Sequence, residues 1–271
     1  MRGIKKKLLS DLRALGLNTG DNIMAHVSLR RVGTTRNDHQ YLLDAILETI
    51  GESGTLLTMP SWEHSPYDKT LNGKQLTKEQ EDNWPIFNPT QDLPFPAWGY
   101  FNNLVCAHPS VARSNHPDAS MAAIGSNANY LVKQHQLNYA LGEGSPIERF
   151  IELNGKVALL GATLDAVTVL HFAEAKAKIK GKRTVSYKAP VLDDNGKRKW
   201  VEIVDWDTNG ITDQFANLMN NGGMDAVETI ARSYLLLERH KELVVGKAHS
   251  YLFDAKDLVN YGIKYLEQNF G

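Results

Sequence analysis

Leu159-Leu160-Gly161-Ala162-Thr163-Leu164-Asp165-Ala166-Val167-Thr168-Val169-Leu170-His171-Phe172-Ala173-Glu174 is the stretch whose reading decides the fold. The apolar run Val157 to Leu160 reads as a buried strand, and Gly161 breaks it. Asp165 can cap a helix, because its carboxylate accepts from the free backbone N–H groups of a first turn. The pattern then predicts a helix from Ala166 to about Ile179. A strand, a short turn and a helix start together make a site in α/β proteins. Thr168, His171 and Glu174 lie three apart, so one helix face carries all of them. Imidazole alone titrates near neutrality unaided, which makes His171 the general-base candidate of the chain. The same spacing suits a buried structural histidine hydrogen-bonded to Glu174, and this segment alone leaves both readings open.

Upstream, Ile4, Leu8, Leu12 and Leu15 follow helical spacing, with Gly16 as a stop. Ile23 to Leu29 is expected to be a strand, followed by a polar loop from Arg30 to Arg36. Asp38 can cap a helix with Leu42, Ala45, Ile46, Thr49 and Ile50 on its inner face. Gly54 to Met59 reads as another buried strand. This alternation predicts a parallel sheet with crossover helices. Ser145 and Pro146 open a helix that ends at Asn154-Gly155 and feeds the central strand. Downstream, Thr184 to Leu192 and Lys197 to Val204 flank Asp193-Asp194-Asn195-Gly196, a hairpin signal. Helices are expected from Asp213 and Asp225, a strand from Val244 to Phe253, and a terminal helix capped by Asp254. The expected architecture is one α/β domain over 1–271, a central mostly parallel sheet flanked by helices. Residues 184–210 form a small antiparallel lobe. The aromatic segment 61–103 is a long loop of the kind that covers a binding site.

Bulk properties narrow the partners. The 271 residues carry 30 Lys and Arg against 31 Asp and Glu, a formal charge of -1, so the global basic footprint of a nucleic-acid binder is absent. Cys106 is the single cysteine, which excludes an intramolecular disulfide and a cysteine-rich zinc site. It reads as a small core residue. No apolar run has signal-peptide or membrane-span length, so a cytoplasmic protein with no membrane partner is expected.

Several signatures are missing: no Walker loop, no Gly-x-Gly-x-x-Gly after the first strand, no Gly-x-Ser-x-Gly elbow and no His-Glu-x-x-His. His171 and Glu174 are too few ligands to define a metal site, and no metal is expected. Two loops suit an anionic ligand. Ser28-Leu29-Arg30-Arg31-Val32-Gly33 follows a strand and offers backbone N–H groups, a hydroxyl and guanidinium charge; Arg113-Ser114 offers more of the same. Glu63, Asp68, Asp205 and Asp207 lie beside Trp62, Tyr67 and Trp206, whose ring faces also receive cations.

Taken in order, His26-Val27-Ser28-Leu29-Arg30, Met59-Pro60-Ser61-Trp62, Arg113-Ser114-Asn115-His116-Pro117, Gly142-Glu143-Gly144-Ser145-Pro146 and the Leu159 to Glu174 block resemble the aminoglycoside 3-N-acetyltransferase family. Gly246-Lys247-Ala248 and Leu252 to Leu258 resemble its C-terminal end. The resemblance spans nearly the whole chain. It implies an α/β fold distinct from the common GNAT acetyltransferases, with acetyl-CoA as cosubstrate and transfer of its acetyl group to the 3-amine of a 2-deoxystreptamine aminoglycoside, which confers antibiotic resistance. It implies that the loop His26 to Gly33 (His26, Val27, Ser28, Leu29, Arg30, Arg31, Val32, Gly33) and Arg113-Ser114 hold coenzyme A. The histidine matching His171 is the base, and acids matching Asp205, Asp207, Glu63 and Asp68 face the antibiotic. A monomer or homodimer fits this picture.

Three features depart from the family pattern: Phe87-Asn88-Pro89 stands for Phe-Asp-Pro, Val27 for the first serine of His-Ser-Ser, and Glu63 to Pro85 is longer. They bear on substrate range more than on reaction type. In this chemistry His171 takes the amine proton, and Glu174 (by spacing) or Asp205 (by resemblance) orients the imidazole. Thr168 or a backbone N–H steadies the developing oxyanion. The rival readings are an acyl-CoA-dependent acyltransferase for another amine metabolite and a nucleotide- or coenzyme A-binding module in which His171 and Glu174 are a core pair.

Overall fold

The run around Val157 forms the middle of a seven-stranded sheet in the computed structural model, which describes residues 2–193, 195–208 and 225–271. Strand β1 (Asn22–Val27) lies at the centre. It pairs in parallel with β2 (Thr55–Thr58) on one side and β5 (Lys156–Leu160) on the other, in the register Met24 to Leu57 and Met24 to Val157. Beyond β2, the strands β4 (Ala122–Gly125) and β3 (Ala112–Arg113) run antiparallel. Beyond β5, β9 (Ala248–Asp254) and β8 (Lys241–Val245) do the same. The α/β class stands, with parallel pairing confined to the three central strands. Those are the strands joined by crossover segments, whereas β8 and β9 are joined by a tight turn that only an antiparallel pair allows.

Period-two alternation distributes the core. Ile23, Ala25, Ala158 and Leu160 face one layer, with Leu8, Leu12 and Leu15 of α1 (Arg2–Leu15) and Leu42, Leu43 and Ile46 of α3 (His39–Ile50). Met24, Val157 and Leu159 face the other layer, where α7 (Ala128–Val132), α8 (Pro146–Glu152), α9 (Val169–Lys176), α10 (Ala226–Leu235) and α11 (Ala255–Phe270) pack. Each fully buried aliphatic side chain contributes about 1.5–3 kcal/mol relative to an exposed one. The strand positions are therefore fixed from both faces. N-caps open the helices where expected, at Ser145, Asp225 and Asp254, whose side chains accept from the N–H groups of Glu148, Glu228 and Asp257.

Several boundaries differ from expectation. Leu29 does not extend β1, and Arg30 to Val32 is not a loop. Ser28 caps a one-turn helix α2 (Leu29–Val32), which Gly33 closes at φ 85°. Asp38 occupies the cap position of α3, but its carboxylate accepts from the Thr35 hydroxyl instead of a helix N–H. The expected single strand Val244 to Phe253 is two, because Gly246 at φ 63° turns the chain between β8 and β9. The segment 61–103 carries the short helices α4 (Tyr67–Thr70) and α5 (Lys78–Asn83) before α6 (Phe101–Cys106). Trp62, expected on a binding wall, is fully buried, with its ring against Phe87. Strands β6 (Thr184–Leu192) and β7 (Arg198–Trp206) form the separate antiparallel hairpin. The Thr70 hydroxyl bonds to both the N–H and the C=O of Lys188 in that hairpin, and Tyr139 N–H donates to Val204 C=O. The helix expected from Asp213 lies outside the described residues. No helix among the described residues is long and apolar enough to cross a membrane.

Candidate active site

The central strand delivers its C-terminal end to the site. Gly161 leaves β5 at φ 69°, a conformation that favours glycine. A Cβ there would lie 2.8 Å from Ala248 Cβ and 3.0 Å from Arg31 Cβ. Gly161→Ala is therefore expected to cost about 1–3 kcal/mol, read as a lower midpoint in chemical denaturation. After Gly161 the chain makes a 3-10 turn (Leu164–Ala166) before α9 begins at Val169. Asp165 sits in that turn and is not the helix cap. Thr168 holds the cap position with no side-chain bond to a helix N–H, and the helix ends at Lys176 instead of near Ile179.

One turn of α9 brings His171 and Glu174 together, with Nδ1 to Oε2 at 2.6 Å. The His171 side chain is 28% exposed and that of Glu174 2%, so the imidazole is accessible and the carboxylate is not. With Nδ1–H donating to the carboxylate, Nε2 is left as the basic atom. Burial pulls the His171 pKa down, but the charge and hydrogen bond of Glu174, helped by Asp225 and Asp205, outweigh it and hold the pKa above its ordinary value. Glu174, not Asp205, is thus the partner of the imidazole. Asp205 acts from across a cavity; burial raises its own pKa, against N–H donation from Trp206 and Ala140.

His171 borders two cavities. One, of about 340 Å³, is walled by His26, Val27, Met59, Trp98 and Phe101, with Thr163 and Thr168 at its polar end. His26 Nε2 is buried there without a partner, and burial together with the nearby His171 lowers its pKa to about 4, so it stays neutral. The second, of about 140 Å³, is lined by Tyr67, Asp118, Gly142, Asp205 and Trp206. Burial raises the Asp118 pKa to about 6, although the Ser65 hydroxyl donates to its carboxylate at 2.5 Å. An open basic cavity of about 370 Å³, lined by Arg31, Gly161, Ala162, Lys247 and His249, lies on the outer side of the Gly161 turn. A base therefore stands between a slot of mixed apolar and polar lining and an acidic aromatic pocket. Among the described residues no three His, Cys, Asp or Glu side chains converge as metal ligands.

The family model described as aminoglycoside 3-N-acetyltransferase matches residues 24–267. The chain belongs to that family. It is 47% identical over 266 residues to aminoglycoside N(3)-acetyltransferase III of Serratia marcescens, an alignment covering 98% of each chain. The solved structure of AAC-VIa bound to sisomicin superposes with a TM-score of 0.92 at 45% identity, covering 98% of both chains. That of AAC-IIIb in binary complex with CoASH gives 0.88 at 31% identity, covering 98% of this chain and 97% of that one.

The loop expected to hold coenzyme A is only partly a cavity wall. His26 and Val27 line the slot, and Arg31 borders the basic cavity while donating to Gly161 C=O at 3.0 Å. Ser28, Leu29, Val32 and Gly33 build the turn that carries them, and Arg30 is exposed. Arg113 and Ser114 do not suit phosphate binding. The Arg113 guanidinium is committed to Ser61 C=O, Asp92 C=O and the Ser120 hydroxyl. Ser114 is 1% exposed, with its hydroxyl engaged by His135 and Met121 N–H. Burial accounts for both.

Of the acids expected to face the antibiotic, only Asp205 lines the pocket. Glu63 sits 3.7 Å from His64 Nε2, Asp68 is exposed on α4, and Asp207 is paired with Arg183 at 2.5 Å. The departure at Asn88 is local: its side chain accepts from the Thr90 N–H and hydroxyl within a turn, away from both cavities. Asp118 was missed. Its only signal was its place directly after His116-Pro117 in the polar loop.

Proposed function

We propose that this protein transfers the acetyl group of acetyl-CoA to the 3-amine of 2-deoxystreptamine aminoglycosides, with His171 as general base. The observation that carries the reading is the position of His171 between the two cavities, tied through Nδ1 to buried Glu174. Aminoglycosides are polycations, and Asp118 and Asp205 supply the charge that attracts them; Tyr67 and Trp206 supply ring faces. Arg31 and Lys247 suit the phosphates of coenzyme A. The apolar walls Val27, Met59 and Phe101 suit the narrow arm that carries the thioester. The relatives named for this reaction support the assignment, as do the solved neighbours bound to sisomicin and to CoASH.

An aliphatic amine is mostly protonated near neutral pH and attacks as its free base, having lost one proton to solvent; bonding to the carbonyl carbon then makes a second proton acidic, and that one needs a base. His171 Nε2 accepts the proton as the amine nitrogen bonds to the thioester carbonyl carbon, and Glu174 stabilises the imidazolium that results. Charge developing on the carbonyl oxygen is met by Thr168 or by a backbone N–H at the slot. The carbon–sulfur bond then breaks, and the proton held by His171 goes to the departing thiolate. No protein side chain is acylated in this sequence. Thiol release from acetyl-CoA, measured across aminoglycosides with and without a free 3-amine, tests the reading. Release confined to compounds with that amine is the expected result. Tight coenzyme A binding with no release from any of them points to another acceptor amine.

A further inference from the structure

Two buried histidines outside the reaction join the segment 114–121 to the segment 135–142. His116 Nδ1 accepts from the N–H groups of Asp118 at 3.2 Å and Ala119 at 2.8 Å, and its Nε2–H donates to Leu137 C=O at 3.1 Å. Behind it His135 stacks with ring centroids 4.8 Å apart. Its Nδ1 accepts from the Ser114 hydroxyl at 2.9 Å, and its Nε2–H donates to Ala140 C=O at 2.8 Å. These bonds assign both rings to the neutral Nε2–H tautomer. Desolvation agrees, lowering the two pKa values to about 4 and about 3.

What the pair holds is one wall of the pocket beside His171. Asp118 is fixed through its own N–H, and its carboxylate lines that pocket. Ala140 is fixed through its carbonyl, and the adjoining Tyr139 N–H donates at 2.9 Å to the C=O of Val204, the residue before Asp205. Leu141 and Gly142, which follow, also line the pocket. The two acids come from distant segments, a loop before β4 and the end of β7.

We propose that the stacked pair His116 and His135 positions Asp118 and Asp205 at the spacing the acceptor requires, and so sets acceptor affinity without touching substrate. This rests on the reading of that pocket as the acceptor site. Fixed charge spacing matters because a displacement of about 1 Å can cost about 10²-fold in turnover of a positioned substrate.

Glutamine at 116 keeps a donor near Nε2 but removes the acceptor under Asp118 and Ala119; asparagine keeps that acceptor but does not reach Leu137. His116→Gln is expected to raise the KM for the aminoglycoside by about tenfold or more while changing the KM for acetyl-CoA by less than about twofold. In the same variant the Asp118 carboxyl, followed by carbon NMR, is expected to leave its midpoint near pH 6 for the ordinary aspartate range. His116→Asn is expected to leave that midpoint in place. His135→Asn frees Ala140 without touching Asp118, and is the second variant should His116→Gln fail to fold; it too is expected to raise only the acceptor KM. Equal rises in both KM values, an unchanged Asp118 midpoint in His116→Gln, or a wild-type acceptor KM in His135→Asn would overturn the proposal. The Asp118 titration needs no acceptor. A wild-type protein that acetylates no aminoglycoside would therefore count against the proposed function and leave this readout standing.

Discussion

His171→Ala is expected to lower kcat by about 10²- to 10⁴-fold, the usual contribution of a positioned general base. The dissociation constant for coenzyme A should stay within a few fold of wild type. The reason for the split is spatial. His171 is one of many residues lining the slot, and it does not border the separate cavity of Arg31 and Lys247. Stability should fall only modestly, because the side chain is partly exposed and its one strong partner is Glu174. That partner is left as a buried carboxylate without its donor, so a loss of about 1–3 kcal/mol is expected. Equilibrium binding of coenzyme A beside steady-state turnover checks the prediction. Loss of binding and turnover together, with a large drop in stability, would make His171 a structural residue.

Glu174→Gln separates charge from shape. Glutamine retains an oxygen that can accept from Nδ1–H, but it removes the negative charge that holds the His171 pKa above its ordinary value. A base works only when unprotonated, so the acid limb of kcat/KM in the wild-type protein should lie above pH 6.5, the ordinary histidine value. Removing the raising influence moves that limb to lower pH. The plateau should fall at the same time, by about 10²-fold or more, because the imidazolium formed during transfer loses its counter-charge and the tautomer is no longer enforced. A pH profile of both proteins measures limb and plateau together. An unchanged limb would mean that the group titrating in turnover is not His171.

Much of the site was legible because it is local. His171 and Glu174 are one helical turn apart, and that spacing alone brought the imidazole to its carboxylate. The central strand, the Gly161 break and the caps at Ser145, Asp225 and Asp254 were legible for the same reason: each depends on neighbours within a few residues. The expectation went astray where tertiary context decides. Whether Asp165 caps a helix depends on whether the chain first spends a 3-10 turn reaching the helix axis. The split of the last strand into β8 and β9 turns on Gly246, one glycine in an otherwise continuous β-like run.

Composition could not rank the acids or the arginines. Arg113 is as basic as Arg31, but burial commits its guanidinium to the carbonyls of Ser61 and Asp92, while Arg31 borders an open cavity. Glu63, Asp68 and Asp207 are as acidic as Asp205, but only Asp205 lines the pocket beside His171, while Asp207, two residues on, pairs with Arg183. Asp118 gains its place through His116 and a loop distant from it in sequence, a relation that no periodicity reveals. Trp62 was expected to offer a ring face to a ligand and offers it to Phe87 in the interior instead.

Location of the transferred group is the most direct measurement. The protein would be incubated with acetyl-CoA and an aminoglycoside carrying several free amines, and the product mapped by two-dimensional NMR. A single acetyl group on the 3-nitrogen, absent when His171→Ala replaces the wild type, is the expected result. Acetylation at another nitrogen, or equal product from His171→Ala, would contradict a His171-driven transfer to the 3-amine.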